Sequence, residues 1–418
     1  MKKRGIGLAA LIGAILLLLA EARTGLALGK TWMGAELERQ LTLAGLRFGP
    51  FRIKTFLNLN GAGYDSNIYF GYGGPPIKDY TLTTGPTFNI YLPLKKKIVF
   101  QITESPQYVY YYHTERERAW NNTLGGQIHF VFNRWYFSVG GAYSKARQRW
   151  SSEIDIQLRR RTDNIQGMIL WQATRRTSFS LNYRRDHYAY DNATFGTFDV
   201  RDQLNRVENY LNFASYFQLT LRARMFLNFE YGFFDFERQI VGSKNSLSYA
   251  LYGGFDFAPT GRIRGRLNLG YKYFNVLALQ GQDFRGLVGD TQVSIRLLGP
   301  LAVRASYSKN VQFSVWFNNA FYLENIVGVG TSLYVLKNIR LDGDVRYGEN
   351  SYPQSNLIAP GGVQNRLDQY RTYSVGVYYR VKRNIALGVS ASRGIRHSND
   401  TRYNYNRNFV GLNLTYDF

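Results

Sequence analysis

Arginine recurs at every second position in parts of this chain. Arg262, Arg264 and Arg266 share a parity with Lys272, and Arg340 and Arg346 share one with Asp342 and Asp344. Cations gathered on one face attract anions, because a cleft lined by one sign of charge concentrates the other. Parity against neighbouring apolar residues assigns the same face to Arg52, Lys54, Arg184, Arg224, Arg296, Arg304, Arg380 and Arg396. Aromatic rings fall there too: Tyr91, Tyr136, Tyr210, Tyr216, Phe226, Tyr252, Phe274, Tyr334 and Tyr378. Sugar rings stack on such faces, and tyrosine hydroxyls hydrogen-bond to them. The carboxylates of that face, Glu208, Glu230, Asp256, Asp290, Asp342 and Asp344, are outnumbered by its cations. Two plainer roles compete: arginines pairing with these carboxylates to stiffen a wall, and aromatic side chains simply filling space.

Catalysis finds little support. His113, His129, His187 and His397 are the only histidines, and Asp186-His187 is the nearest thing to a dyad. Adjacent residues of a regular strand point to opposite faces, so that pair does not converge. No metal-ligand spacing, phosphate loop or Cys/His cluster occurs, so neither metal nor cofactor is expected, and a basic face in an exported chain is no evidence for nucleic acid. The expectation is a protein that is not an enzyme.

The elements that position these residues read as strands. Val410, Leu412, Leu414, Tyr416 and Phe418 alternate with Gly411, Asn413, Thr415 and Asp417. This is a strand with one apolar face, as the last strand of a transmembrane barrel must be. The pattern resembles the terminal signal read by the outer-membrane barrel-assembly machinery. From Phe51 onward, alternating segments are joined by very short turns near Pro93-Leu94-Lys95-Lys96, Asn133-Arg134, Arg175-Arg176, Leu219-Thr220, Pro259-Thr260-Gly261, Gly299-Pro300, Lys337-Asn338 and Lys382-Arg383. Longer polar connections lie between them, and the unit repeats about every 40 residues. This rhythm predicts an all-β fold, a transmembrane antiparallel up-and-down β-barrel of about 18 strands, with short periplasmic turns, long outer loops and a lumen wide enough for an aqueous path. A secreted soluble propeller or solenoid leaves the terminal strand and the turn asymmetry unexplained. One strand breaks its own pattern: Glu104 takes the lipid parity beside Pro106, where a bulge is expected to turn it away.

At the other end, Lys2, Lys3 and Arg4 precede an apolar run from Ile6 to Ala20 and the small-x-small sequence Ala20-Glu21-Ala22. That is a signal peptide over residues 1–22, too short to span a bilayer as a helix. Residues 23–50 read as a periplasmic segment containing a short amphipathic helix around Trp32, Leu37 and Leu41, which serves as a lead-in to the barrel of residues 51–418 rather than a plug. Composition agrees: 45% hydrophobic, 16% aromatic, 33 Tyr, 41 Gly and no Cys, hence no disulfide framework and no lipidated cysteine. The formal charge of +23 falls only to +21 once Lys2, Lys3, Arg4 and Glu21 are removed.

Asn60-Gly61-Ala62-Gly63-Tyr64-Asp65-Ser66-Asn67-Ile68-Tyr69, then Lys78-Asp79-Tyr80, Gly85-Pro86 and Tyr91-Leu92-Pro93-Leu94, resemble the opening of the putative beta-barrel porin 2 family. That resemblance implies an outer-membrane barrel of a Gram-negative bacterium, often found with exopolysaccharide systems, and a gate or partner in polysaccharide secretion. It supplies no ligand residues. The expected function is a conduit for an acidic exopolysaccharide with inward arginines steering and tyrosines stacking, assisted by a periplasmic export partner. The rival is an anion-preferring diffusion porin for small solutes, and a third reading is a surface scaffold anchored by its barrel.

Overall fold

The computed structural model describes residues 31–71, 75–94, 97–154, 156–191, 194–195, 198–238, 244–257, 261–278, 282–316, 319–353 and 365–418. The expected signal peptide lies outside them. A helix, α1 (Trp32–Leu43), comes first, then a short strand Leu46–Phe48 that pairs with the start of the barrel. The barrel strands begin with β1 (Phe51–Asp65), β2 (Asp79–Leu94), β3 (Ile98–Glu104, continued by Gln107–Tyr111), β4 (Ala119–Val131), β5 (Trp135–Gln148) and β6 (Leu158–Gln172). Next come β7 (Thr177–Tyr190), β8 (Arg206–Thr220), β9 (Ala223–Phe236), β10 (Ser246–Phe257), β11 (Ile263–Val276) and β12 (Phe284–Leu298). The last six are β13 (Leu301–Phe313), β14 (Phe321–Tyr334), β15 (Ile339–Ser351), β16 (Leu367–Lys382), β17 (Ile385–Ser398) and β18 (Tyr405–Asp417). Each pairs antiparallel with the next, and β18 pairs back onto β1, closing an 18-stranded barrel.

Period-two patterning explains the two faces. On β16 and β18, Val375 and Leu412 are 64% and 57% exposed and look outward, as do Val329, Val345 and Val389 on β14, β15 and β17. Facing water, each would forgo roughly 1.5 to 3 kcal/mol of burial; facing lipid tails, it does not. Aromatic rows bound this apolar band. At the short-turn end Trp135, Trp171, Phe179 and Phe213 stack in sequence with centroids 5.7, 5.9 and 6.3 Å apart. Toward the long-loop end, Tyr64, Tyr143, Tyr183, Tyr249 and Tyr347 mark the other interface.

The β1–β18 seam depends on glycine. Gly61 takes φ +62° where the register shifts, and a Cβ at Gly63 would stand 1.9 Å from the Val410 carbonyl oxygen. Only a residue without a side chain permits that approach.

The bulge expected beside Glu104 does not form. Phe88 opposite Glu104 and Thr84 opposite Tyr108 belong to one register, as do Leu124 opposite Glu104 and Asn121 opposite Gln107. The ladder merely lapses at Ser105-Pro106, where proline has no N–H to give and Ser105 still bonds Thr123. Glu104 therefore keeps the outward parity, between Phe88 and Leu124.

The lead-in reading of the N-terminal segment is also corrected. Thr31 caps α1 by accepting a hydrogen bond from the Gly34 N–H at 3.3 Å. The apolar side of α1 lies against the inner wall: Leu37 packs with Tyr91 and Val99, while Trp32 and Met33 pack with Tyr136, Leu170, Ala214, Tyr216 and Phe226. Except for Ala214 at mid-strand, these wall residues lie near the short-turn ends of their strands, so α1 sits inside that end of the lumen. Its weak amphipathicity conceals this, because a lumen accepts a helix whose second face remains wet.

Candidate functional site

The site is the lumen, and the chain itself occupies both of its ends. At the short-turn end Arg224 holds the helix: its guanidinium lies 3.4 Å from the centroid of Trp32, whose ring meets Tyr216 edge-to-face at 5.8 Å, and Asp256 accepts from Arg224 at 3.0 Å. The opposite side of α1 is polar, with Glu36 accepting from Arg39 and Gln40, and Glu38 exposed. The Arg39 hydrogen bond keeps the Glu36 carboxyl below its usual range.

At the long-loop end four connections, β5–β6, β7–β8, β9–β10 and β13–β14, form a cap. The loop between β5 and β6 crosses the mouth, where the Ser152 carbonyl accepts from Arg396 at 2.8 Å and its hydroxyl accepts from Asn350 at 2.7 Å, on β17 and β15 across the ring. Glu153, with no exposed surface, accepts from the Ser314 hydroxyl and the Val315 N–H, both at 2.7 Å, and Lys244 donates to the Ser314 carbonyl at 2.7 Å. Burial pushes the Glu153 carboxyl up and the Lys244 ammonium down, to about 7. Ile154, Val200, Leu204 and Val315 pack beneath this network, and Phe313 at the tip of β13 reaches Phe234 and Phe274 of the wall at 5.3 and 5.8 Å. Loop sequences carry no periodicity, so nothing in Glu153 or Lys244 announced this cap.

The cations fall into three groups. Arg184 pairs with Asp186 at 2.9 Å, Arg224 and Arg266 with Asp256 at 3.0 and 3.6 Å, Lys272 with Glu230 at 3.3 Å, Arg340 with Asp342 at 3.1 Å and Arg346 with Asp344 at 2.8 Å. These match the wall-stiffening alternative. Arg52 and Arg264 bond backbone carbonyls near the short-turn rim. Arg262 is a correction: it lies in the turn before β11 and donates to the Arg296 and Leu297 carbonyls at 2.9 and 2.7 Å, so it lines no lumen. Arg396 is 2% exposed and works as the far anchor of the cap. Lys54, Arg296, Arg304 and Arg380 make no ion pair with a described residue. Arg206, not singled out from sequence, is buried against Glu208 at 2.6 Å with its guanidinium 4.6 Å from the Tyr188 ring centroid; the Arg206/Glu208 alternation was its available signal.

The aromatic track is corrected more heavily. Tyr91, Tyr136, Tyr216 and Phe226 lie under α1. Tyr252 and Phe274 lie in the packing beneath the cap, and Tyr210 packs against it, its hydroxyl donating to Glu208. The chain's own insertions cover these rings. Tyr334, 42% exposed, and Tyr378, with Arg340 at 4.6 Å, lie apart from those clusters. Asp186 and His187 turn to opposite faces: Asp186 accepts from Asn164 at 2.7 Å, and His187 meets Glu237 at 2.7 Å.

What remains is the wall opposite α1. A recess of about 290 Å³ on β12–β17 is lined by Gln292, Arg304, Asp342, Asp344, Arg346 and Tyr378. Arg304 and Asp344 approach it across Gly330, where a Cβ would stand 2.8 Å from the Asp344 carboxylate and 3.2 Å from the Arg304 guanidinium. Its lining balances two arginines, Arg304 and Arg346, against two aspartates, Asp342 and Asp344; Arg296 and Arg380 lie farther along β12 and β16.

A comparison with curated protein sequences gives no match. Among solved structures, the FrpB iron transporter of Neisseria meningitidis superposes with a TM-score of 0.50 at 9% identity, covering 86% of this chain and 63% of that one. This chain thus spans less than two thirds of FrpB, and the likeness is one of fold. OpdK of Pseudomonas aeruginosa, solved with vanillate, gives 0.49 at 11% identity and covers 88% of this chain and 98% of that one. The family model for putative beta-barrel porin 2 matches residues 42–418, a span that takes in the whole barrel and the end of the helix in its lumen. The chain therefore belongs to the putative beta-barrel porin 2 family, a porin-like barrel of the Gram-negative outer membrane.

Proposed function

We propose that this barrel is an outer-membrane conduit for an acidic exopolysaccharide, which passes along the basic wall of β12–β17. The observation that carries the reading is the recess itself, where Arg304 makes no ion pair with a described residue and the lining ring of Tyr378 carries Arg340, itself paired with Asp342 and outside the recess lining. A guanidinium beside a half-buried ring suits an anionic sugar, one group taking the charge and the other the open edge of the ring. The helix α1 and the cap make this a closed conformation, so export requires a periplasmic partner or the arriving polymer to displace α1. A specific observation favours a second reading, the anion-preferring diffusion porin: the covered aromatics leave a short stacking track.

Two measurements test the proposal. Deleting the gene should abolish surface polysaccharide while leaving uptake of small anions unchanged; the reverse result sinks the export reading and retains the porin. In planar bilayers, Arg304, Arg340 and Arg346 changed together to Ser should reduce anion preference. Unchanged selectivity would remove the basic wall from both readings.

A further inference from the structure

The lumen leaves unexplained a cluster of cations on the opposite surface of the barrel. On β5 and β6, Lys145 stands directly across from Arg161, and Arg147 directly across from Arg159. These residues share the outward parity of Val139 and Tyr143, which are 50% and 39% exposed, so they face the membrane side of the wall. Like charges directly opposed on neighbouring strands repel. Local carboxylates offset part of this: Arg147 pairs with Glu117 at 2.8 Å and Arg161 with Asp163 at 2.8 Å, while Arg159 is 4.0 Å from Asp191. Lys145 has no ion pair with a described residue.

The height of the cluster narrows its partner. Lys145 lies two residues beyond the girdle residue Tyr143, about 7 Å toward the long loops at the rise of a strand. That is the level of lipid headgroups on the outer leaflet, not of the hydrocarbon. Beside it a recess of about 490 Å³ is lined by Tyr108, Arg118, Trp120, Lys145 and Arg159. Trp120 is 70% exposed and in ring contact with Tyr108 at 4.9 Å, an amphipathic floor suited to the boundary between acyl chains and headgroups. We infer that this outward recess binds the phosphorylated headgroup of an outer-leaflet lipid, with Lys145 and Arg159 on the phosphate and Trp120 against the adjoining sugar or acyl chain. A phosphate between these diagonal neighbours of the two opposed pairs offsets the local repulsion with charge-assisted hydrogen bonds.

The test uses the full mature chain in detergent and the binding of bisphosphorylated lipid A, followed by native mass spectrometry. The Lys145→Ser/Arg159→Ser variant should bind at least tenfold more weakly, and lipid A stripped of its phosphates should bind the wild type comparably weakly. Millimolar inorganic phosphate should not displace the lipid; displacement would make the site one for a free anion and overturn the lipid assignment. Equal binding by variant and wild type overturns it as well. So does an equal loss in a Lys337→Ser/Arg383→Ser control at the opposite rim, since that would show a nonspecific charge effect. Should the double variant fail to show the heat-dependent gel shift of a closed barrel, Lys145→Gln alone carries the comparison, with a loss of threefold or more expected.

Discussion

Removing Trp32 should unseat the helix in the lumen. The ring makes a cation–π contact with Arg224 at 3.4 Å and an edge-to-face contact with Tyr216 at 5.8 Å. A desolvated cation–π pair is worth about 2 kcal/mol and the aromatic pair about 1 kcal/mol. Against this, the indole N–H is buried with no hydrogen-bond partner, a penalty of about 1 kcal/mol that Trp32→Ala relieves. The net loss is about 2 kcal/mol, which at about 1.4 kcal/mol per decade shifts the docked-to-undocked ratio roughly 30-fold. Single-channel recording in planar bilayers reads this directly as the fraction of time spent in the larger-conductance state. Trp32→Phe, which keeps the ring contacts and drops the unsatisfied donor, should record at or below the wild-type open fraction. If Trp32→Ala gates like the wild type, and deleting residues 31–44 also leaves the conductance unchanged, then α1 does not obstruct ion flow and the closed-conformation argument is refuted.

The cap should respond to Glu153→Ala, which strands the Ser314 hydroxyl and the Val315 N–H in a buried setting at about 1 to 3 kcal/mol each; hydrogen exchange of residues 149–154 should rise at least tenfold, and protection equal to wild type would contradict the network. Anion preference arising from Arg304 and its neighbours should fade between 0.1 and 1 M salt as the screening length shrinks from about 10 to about 3 Å, so a reversal potential unaffected by ionic strength would point to a steric filter instead. Gly348→Ala places a Cβ 2.0 Å from the Tyr370 ring, which must then leave its position; the denaturant midpoint should drop by the equivalent of about 1 to 3 kcal/mol, and an unchanged midpoint would mean that the ring moves freely.

Sequence reading reached the wall and failed in the interior. Alternation over Val410–Phe418 and its counterparts is a local signal, and the short turns set the strand count, so barrel, strand number and facing were legible. The same logic gave the inward side of Arg224, Lys272 and Tyr216. Parity, however, says which way a residue points and nothing about what stands in front of it. Tyr136 and Tyr216 point inward and are covered by α1, and Arg396 points inward and is spent on Ser152. Such contacts join segments far apart in sequence with no shared period, as Glu153 and Ser314 do at a separation of 161 residues. Glu104 failed for a different reason: proline beside a mismatched charge usually marks a bulge, but here the partners on both sides hold the register.

Closure of β1 on β18 also bears on when this protein can come into being. The glycine-dependent seam joins residues more than 340 positions apart, as in the bond from the Gly61 N–H to Asn413 across 352 positions. Bringing such distant ends together costs about 5 kcal/mol of chain entropy, some 2 to 3 kcal/mol more than closing one of its hairpins. Strand β18 is synthesised long after β1, so until it arrives β1 is paired on its β2 side alone and its other edge stays open. A barrel not yet closed therefore carries two open strand edges, the kind of surface that needs shelter from aggregation.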